Sequence, residues 1–166
     1  MLGRKSARCA FAMHQHVALL AFHFVALVLG DVVADVVDQI QAGRLAEDLA
    51  QRAAQLCFER KALDVVVLDV RGRASYTDFI IIASGTSDRH VQSVAEHVVA
   101  SLREEGERAL GSEGVRDGQW ALIDCGGVVV HVFHQFTRRV YDLDGLWSKA
   151  PRVSLEAGAT SASAAP

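Results

Sequence analysis

His131 and His134 stand three apart in the run VVVHVFH, a spacing that on a helix would turn both imidazoles toward one metal ion. The run is apolar and β-branched, so it reads as a strand, where residues three apart span about 10 Å and point to opposite faces. No metal site is expected there. His131 shares its face with Val129 and Phe133 and is expected to be a hydrogen-bonded structural or interface histidine. Cys125 beside Asp124 has the makings of a nucleophile, but it lies in a glycine turn with neither a strand-to-helix elbow nor an anion hole.

The segment ASGTSDRH, Ala83 to His90, offers more. A strand followed by Gly85-Thr86-Ser87 and a helix start supplies free backbone N–H groups to an anion. It resembles the glycine-serine turn of nucleotidyltransferases, which needs two acids one residue apart on the next strand to hold magnesium. Only Asp88 is in place; Asp142 and Asp144 have that spacing but fall in the C-terminal segment. Helix capping by Thr86 or Ser87 explains the turn without chemistry. His90 and His97, seven apart among charged residues, are expected on a solvated helix face. Ser75, Tyr76, Thr77 and Asp78 make a loop rich in hydroxyls, a composition suited to recognition or to turn bonds.

The elements that would position these groups follow from periodicity. Leu45, Leu49, Ala53, Leu56 and Cys57 recur at three and four residues and predict a helix ending near Lys61. LDVVVLDV from Leu63 and FIIIA from Phe79 predict two central strands buried on both faces. Val91, Val94, Ala95, Val98, Val99 and Leu102 predict a second helix that stops by Gly106. After a short strand near Ala109, Trp120–Ile123 and Val128–His134 flank Asp124-Cys125-Gly126-Gly127 as a hairpin. The order of elements predicts an α/β (α+β) sandwich with a mixed sheet of about five strands and helices packed on it. Beyond the hairpin, Tyr141, Leu143, Leu146 and Trp147 cluster among Arg139, Asp142 and Asp144, and such large apolar groups must cap a core or meet a partner.

The 166 residues suffice for one domain with tails and carry a formal net charge of −3. From Arg44 to Val153 fourteen Lys and Arg face sixteen Asp and Glu, so there is no basic excess to follow a phosphate backbone, and little direct nucleic-acid binding is expected. Three scattered cysteines give neither a disulfide framework nor a zinc site and fit a reducing compartment. Residues 1–43 form an apolar N-terminal extension and linker helix. Its charge-free run from Cys9 to Gly30, after Arg4, Lys5 and Arg8, has the layout of a signal peptide or membrane anchor. His14, His16 and His23 and the lack of a small-x-small cleavage site argue against both, and a translation start further downstream is a third reading. Residues 154–166, small and polar, are expected to be a disordered tail.

Taken together, ALDVVVLDVRGRASYTDFIIIASGTSDRHVQSVAEHV, LGSEG, GQWALIDCGGVVVHVFH and YDLDGLWSKAPRV resemble the ribosomal silencing factor family, also called Iojap-like, over residues 44–153. The resemblance implies a nucleotidyltransferase-like fold without catalytic acids, hence no enzyme and no cofactor. It implies binding to the large ribosomal subunit through its fourteenth ribosomal protein, obstruction of subunit joining, and repression of translation when nutrients are short. It further implies a cytoplasmic protein, a homodimer when free, with no membrane role for the folded domain. The chain departs from the family at Cys125, often an aromatic, at Gly127, often acidic, and at Gly145, often charged; that last glycine is expected to loosen a short terminal helix by roughly 1 kcal/mol. On this reading the partner-binding residues are Ser75, Thr77, Asp78, Asp124, His131, Phe133, Arg139, Tyr141, Leu143, Leu146 and Trp147. Phe133, Tyr141 and Trp147 would be desolvated anchors, and Asp78 and Asp124 would meet basic side chains. A nucleotidyltransferase-like enzyme using the Gly85 to Asp88 turn and a membrane-anchored protein are the alternatives.

Overall fold

The computed structural model describes residues 35–155, so the apolar run from Cys9 to Gly30 and the tail from residue 156 lie outside the described residues. The chain divides into two units, Met1–Ala42 and Gly43–Pro166. In the first, residues 35–42 are helical, with Val36, Val37 and Ile40 exposed.

The second unit is built on a five-stranded mixed sheet, as its apolar periodicity predicts. Helix α1 covers residues 43–59 and is followed by β1 (Leu63–Asp69), β2 (Phe79–Gly85), α2 (Asp88–Glu104), β3 (Gly111–Glu113), β4 (Trp120–Asp124) and β5 (Val128–His134). Two short helices, α3 (Gln135–Tyr141) and α4 (Leu143–Leu146), complete it. The strand order is β1-β2-β5-β4-β3, with β2 and β5 parallel and every other pair antiparallel.

Alternation along β2 and β5 divides the interior in two. Phe79, Ile81, Ala83, Val128, Val130 and Val132 face the long helices and pack with Ala50, Ala53, Leu56, Val91, Val94 and Val98. Ile80, Ile82 and Phe133 face the other way, beneath Trp120, Leu143 and Trp147. One face of the sheet thus carries both long helices, and the other is covered by the C-terminal segment.

Two expectations need correcting. Strand β1 is an edge strand, not a central one: Leu63 and Asp64 are exposed, and only the Val67 to Val70 end is buried. Its outer edge is covered by the chain after α4, where the Asp69 N–H donates to the Pro151 carbonyl at 2.9 Å and the Val153 N–H to the Val67 carbonyl at 2.9 Å. Apolar content alone does not distinguish a second strand neighbour from such a strap. On α1, Leu45 is 69% exposed, and the face against the sheet is made by Ala46, Ala50, Ala53, Ala54, Leu56 and Cys57. Alanine lets the helix backbone lie close to the sheet: a Cβ at Gly127 in the hairpin turn would stand 3.1 Å from the Ala46 Cβ. Burial in this layer pushes the Cys57 thiol up to about 12, which makes it an inert core group.

Candidate functional site

The β4–β5 hairpin delivers the chain to the end of the sheet where α3 and α4 begin. Its turn is closed by the Cys125 N–H donating to the Val128 carbonyl at 2.8 Å and by the Asp124 carboxylate accepting from the Gly126 N–H at 2.8 Å, with Gly126 at φ +77° where a side chain would be strained. Where β5 ends, the His134 imidazole accepts from the Phe136 N–H at 3.3 Å and opens α3. Asp142, in the left-handed region at φ 45°, ends α3, and its carboxylate accepts from the Gly145 N–H at 3.1 Å to open α4. A side chain at 145 would run into that carboxylate, so Gly145 suits the cap rather than merely loosening the helix.

Helices of seven and four residues do not stand alone in water. These two are held by Arg138. Its guanidinium grips the Asp144 carboxylate with two N–H groups at 2.8 and 2.9 Å and donates to the Asp64 carbonyl at 2.7 Å and the Ser84 hydroxyl at 2.9 Å. The guanidinium holds the Asp144 carboxyl below the usual carboxylate range. A second tie runs from the Thr137 hydroxyl to Gln119 at 3.0 Å and from the Gln119 amide to Asp88 at 2.7 Å.

What these ties leave outside includes four large apolar side chains beside exposed Gln135, Arg139 and Asp142. Phe136 is 60% exposed, Val140 80%, Tyr141 53% and Leu146 75%, and no residue of α3 or α4 is fully buried. The Arg139 guanidinium lies 5.0 Å above the Phe136 ring. Tyr141 rests on Trp120, centroids 4.7 Å apart, and Trp120 stacks on buried Phe133 at 5.0 Å. The Trp120 indole N–H donates to His131 Nδ1 at 3.1 Å, so the His131 proton is on Nε2, and burial lowers the imidazole to about 4. Beside this surface opens a groove of about 480 Å³ lined by Asp64, Ser84, Gln135, Arg138 and Asp142 among others.

The expected partner residues divide between two ends of the molecule. Arg139, Tyr141 and Leu146 are exposed together on α3 and α4, while Leu143 and Trp147 are half-buried beneath them. Phe133 is wholly buried and His131 nearly so; both support the surface from below and cannot be its anchors. Phe79 pairs with Val128 and Gly85 with His134, so Asp78 and Asp124 belong to the turn end of these strands, about 20 Å from α3. Thr77 is buried there, its hydroxyl donating to the Phe79 carbonyl at 3.1 Å, and Ser75 is exposed in the β1–β2 loop. Sequence reasoning missed Phe136 and Val140, although residues four apart share a helix face. It also missed Trp120 and Arg138, whose roles depend on long-range neighbours.

The Gly85 to Asp88 turn is tied down by His90 and by the Ser87 cap. The Thr86 N–H donates to His90 Nδ1 at 3.1 Å, His90 Nε2 donates to the Arg60 carbonyl at 2.8 Å, and Ser87 caps α2 through the His90 N–H. Gly118, at φ +66°, lies over the Asp88 backbone, where an added Cβ would come within 2.5 Å of its carbonyl oxygen. His90 is therefore a structural tie rather than part of a solvated face. So is His97, whose Nε2 meets Glu59 at 2.9 Å. Among the described residues no group of three or more His, Cys, Asp or Glu is placed to hold a metal ion, and no helix is long and apolar enough to cross a membrane. Burial raises the Cys125 thiol to about 11, so it is no activated nucleophile.

Fold and site together describe a small α+β domain whose two C-terminal helices expose large apolar side chains beside a polar groove. Residues 44–166 match the family described as ribosomal silencing factor during starvation, and the chain belongs to that family. A ribosomal silencing factor of Bacillus subtilis is 38% identical over 106 residues, covering 64% of this chain and 90% of the relative. A crystal structure of a protein from Chromobacterium violaceum superposes with a TM-score of 0.60 at 34% identity, covering 69% of this chain and 95% of that one. A mouse protein named mitochondrial assembly of ribosomal large subunit protein 1 is 31% identical over 96 residues, which cover 56% of this chain and 42% of that protein.

Proposed function

We propose that this protein silences translation by occupying the large ribosomal subunit at its fourteenth ribosomal protein, so that the small subunit cannot join. The action is exclusion; no bond is made or broken. The observation that carries the reading is the exposed apolar face of Phe136, Val140, Tyr141 and Leu146 on helices that have no other use for it. Aromatic and aliphatic anchors with one arginine at the margin have the composition of a protein-binding hot spot. Membership of the silencing-factor family and the large-subunit name of the mouse relative support the choice of partner. The slight acidity of the folded part suits a basic ribosomal protein, since opposite charge speeds encounter. In this account the protein acts in the cytoplasm and the free form is a homodimer, with Asp78, Asp124 and Ser75 serving a margin of the surface or another contact.

Sedimentation with purified large subunits tests the docking face. Leu146→Asp places a charge at the face without touching the core, and binding is expected to weaken by about 2 kcal/mol, roughly 30-fold, with an unchanged circular dichroism spectrum. Wild-type affinity in that variant removes α4 from the interface. Binding without any effect on joining would turn the reading toward subunit assembly, as the name of the mouse relative suggests.

A further inference from the structure

Phe136, Val140, Tyr141 and Leu146 sit on two helices too short to hold their own shape, and one side chain, Arg138, bonds to both the second helix and the sheet. We propose that Arg138 is a positioning residue for large-subunit binding: its guanidinium fixes α3 and α4 on the end of the sheet in the one arrangement that makes Phe136, Val140, Tyr141 and Leu146 a continuous surface. The inference rests on the docking reading above and adds the device that prepares the face.

Three observations carry it. First, Arg138 spends its donors on three different elements: Asp144 on α4, the Ser84 hydroxyl on β2 and the Asp64 carbonyl on β1. An arginine fork is suited to such multiple, directional bonds, and a lysine ammonium would not reproduce them. Second, the acceptor on β1 is itself special. Asp64 has φ 49° and lies where the register with β2 shifts between Leu63 and Val66, so the strand bulges there. A left-handed aspartate is a strained conformation that persists only where its surroundings hold it. Third, the Arg138 side chain is only 12% exposed, so it acts through its neighbours and not by touching a partner.

Without the fork, α3 and α4 would sample arrangements in which the four apolar groups no longer line up. A partner that binds only the aligned form then sees a smaller competent fraction, and apparent affinity falls by that fraction. Since the aligned complex is unchanged once formed, the loss belongs to association. This separates positioning from contact, because a lost contact speeds dissociation.

The test compares the wild-type chain with Arg138→Lys, Asp144→Asn and Leu146→Asp by hydrogen exchange and by binding kinetics on purified large subunits. In Arg138→Lys the amides of residues 135–146 are expected to exchange about tenfold faster while those of α2 keep their rates, and association should slow about tenfold with dissociation unchanged. Asp144→Asn, which weakens the same fork from the other side, should shift both quantities in the same direction and serves if Arg138→Lys does not fold. Unchanged exchange in residues 135–146, or weakened binding expressed wholly as faster dissociation, overturns the proposal. If the wild-type chain fails to bind, or Leu146→Asp binds as it does, the docking reading falls, and the exchange measurement still decides the role of Arg138.

Discussion

His131 is held neutral by its surroundings: the Trp120 indole N–H takes Nδ1, and burial against aromatic rings lowers the imidazole from 6.5 to about 4. Between those values the unfolded chain binds a proton that the folded chain refuses. The contribution to stability is therefore complete above pH 6.5 and is lost as the pH falls toward 4, by about 3 kcal/mol in total. Urea unfolding across that range should show the loss in the wild-type protein and a shallower one in His131→Gln; parallel slopes would mean the imidazole titrates freely in the fold. At this scale the sequence was only partly legible. The apolar, β-branched run correctly placed His131 and His134 on one strand, where alternation turns them to opposite faces. Nothing in local pattern, however, could tell that Phe133 would be wholly covered, that Arg138 would reach three elements, or that His90 and His97 would bind α1 to α2.

Among the elements, α1 shows what sequence weighting overlooks. Leu45 was expected in the apolar stripe from its spacing with Leu49, Ala53 and Leu56, yet four alanines with Leu56 and Cys57 make the face toward the sheet. A close-packed alanine layer tolerates no added volume, so Ala50→Leu should cost about 1–3 kcal/mol in a thermal or urea unfolding experiment, whereas a leucine removed from the exposed Leu45 position should cost little. An unaffected midpoint in Ala50→Leu would mean that α1 can lift off the sheet freely. The hairpin, β2 and α2 were legible because their periods are clean and their stop signals strong: Gly126 and Gly127 in the turn, Ser87 at the cap, Gly106 at the end. Strand β1 was misplaced as central because its apolar end is buried by the C-terminal strap, a segment distant in sequence whose own pattern is too short to announce a strand.

For the whole molecule, the division of surfaces matters more than any single element. The long helices cover one face of the sheet and the C-terminal segment the other, and four large apolar residues, Phe136, Val140, Tyr141 and Leu146, stay exposed on α3 and α4, while Leu45, Phe58, Leu63, Tyr76 and Leu110 are exposed singly elsewhere in the unit. Family membership supplies the ribosomal context for these residues, and in the Gly85 to Asp88 turn the Thr86 N–H is taken by His90 and the His90 N–H by the Ser87 cap. The family resemblance was readable because several ordered motifs lie along one chain; the proposed docking face was only half readable, since Tyr141 and Leu146 declare themselves by type but Phe136 and Val140 show their exposure only once α3 is seen to be helical and uncovered. The central claim is that binding here and joining of the small subunit are mutually exclusive. The most direct measurement is a joining assay in which large subunits are incubated with the protein before small subunits are added. The account predicts a dose-dependent fall in joined ribosomes with the wild-type protein and none with Leu146→Asp. Full joining by large subunits that demonstrably carry the wild-type protein would contradict it.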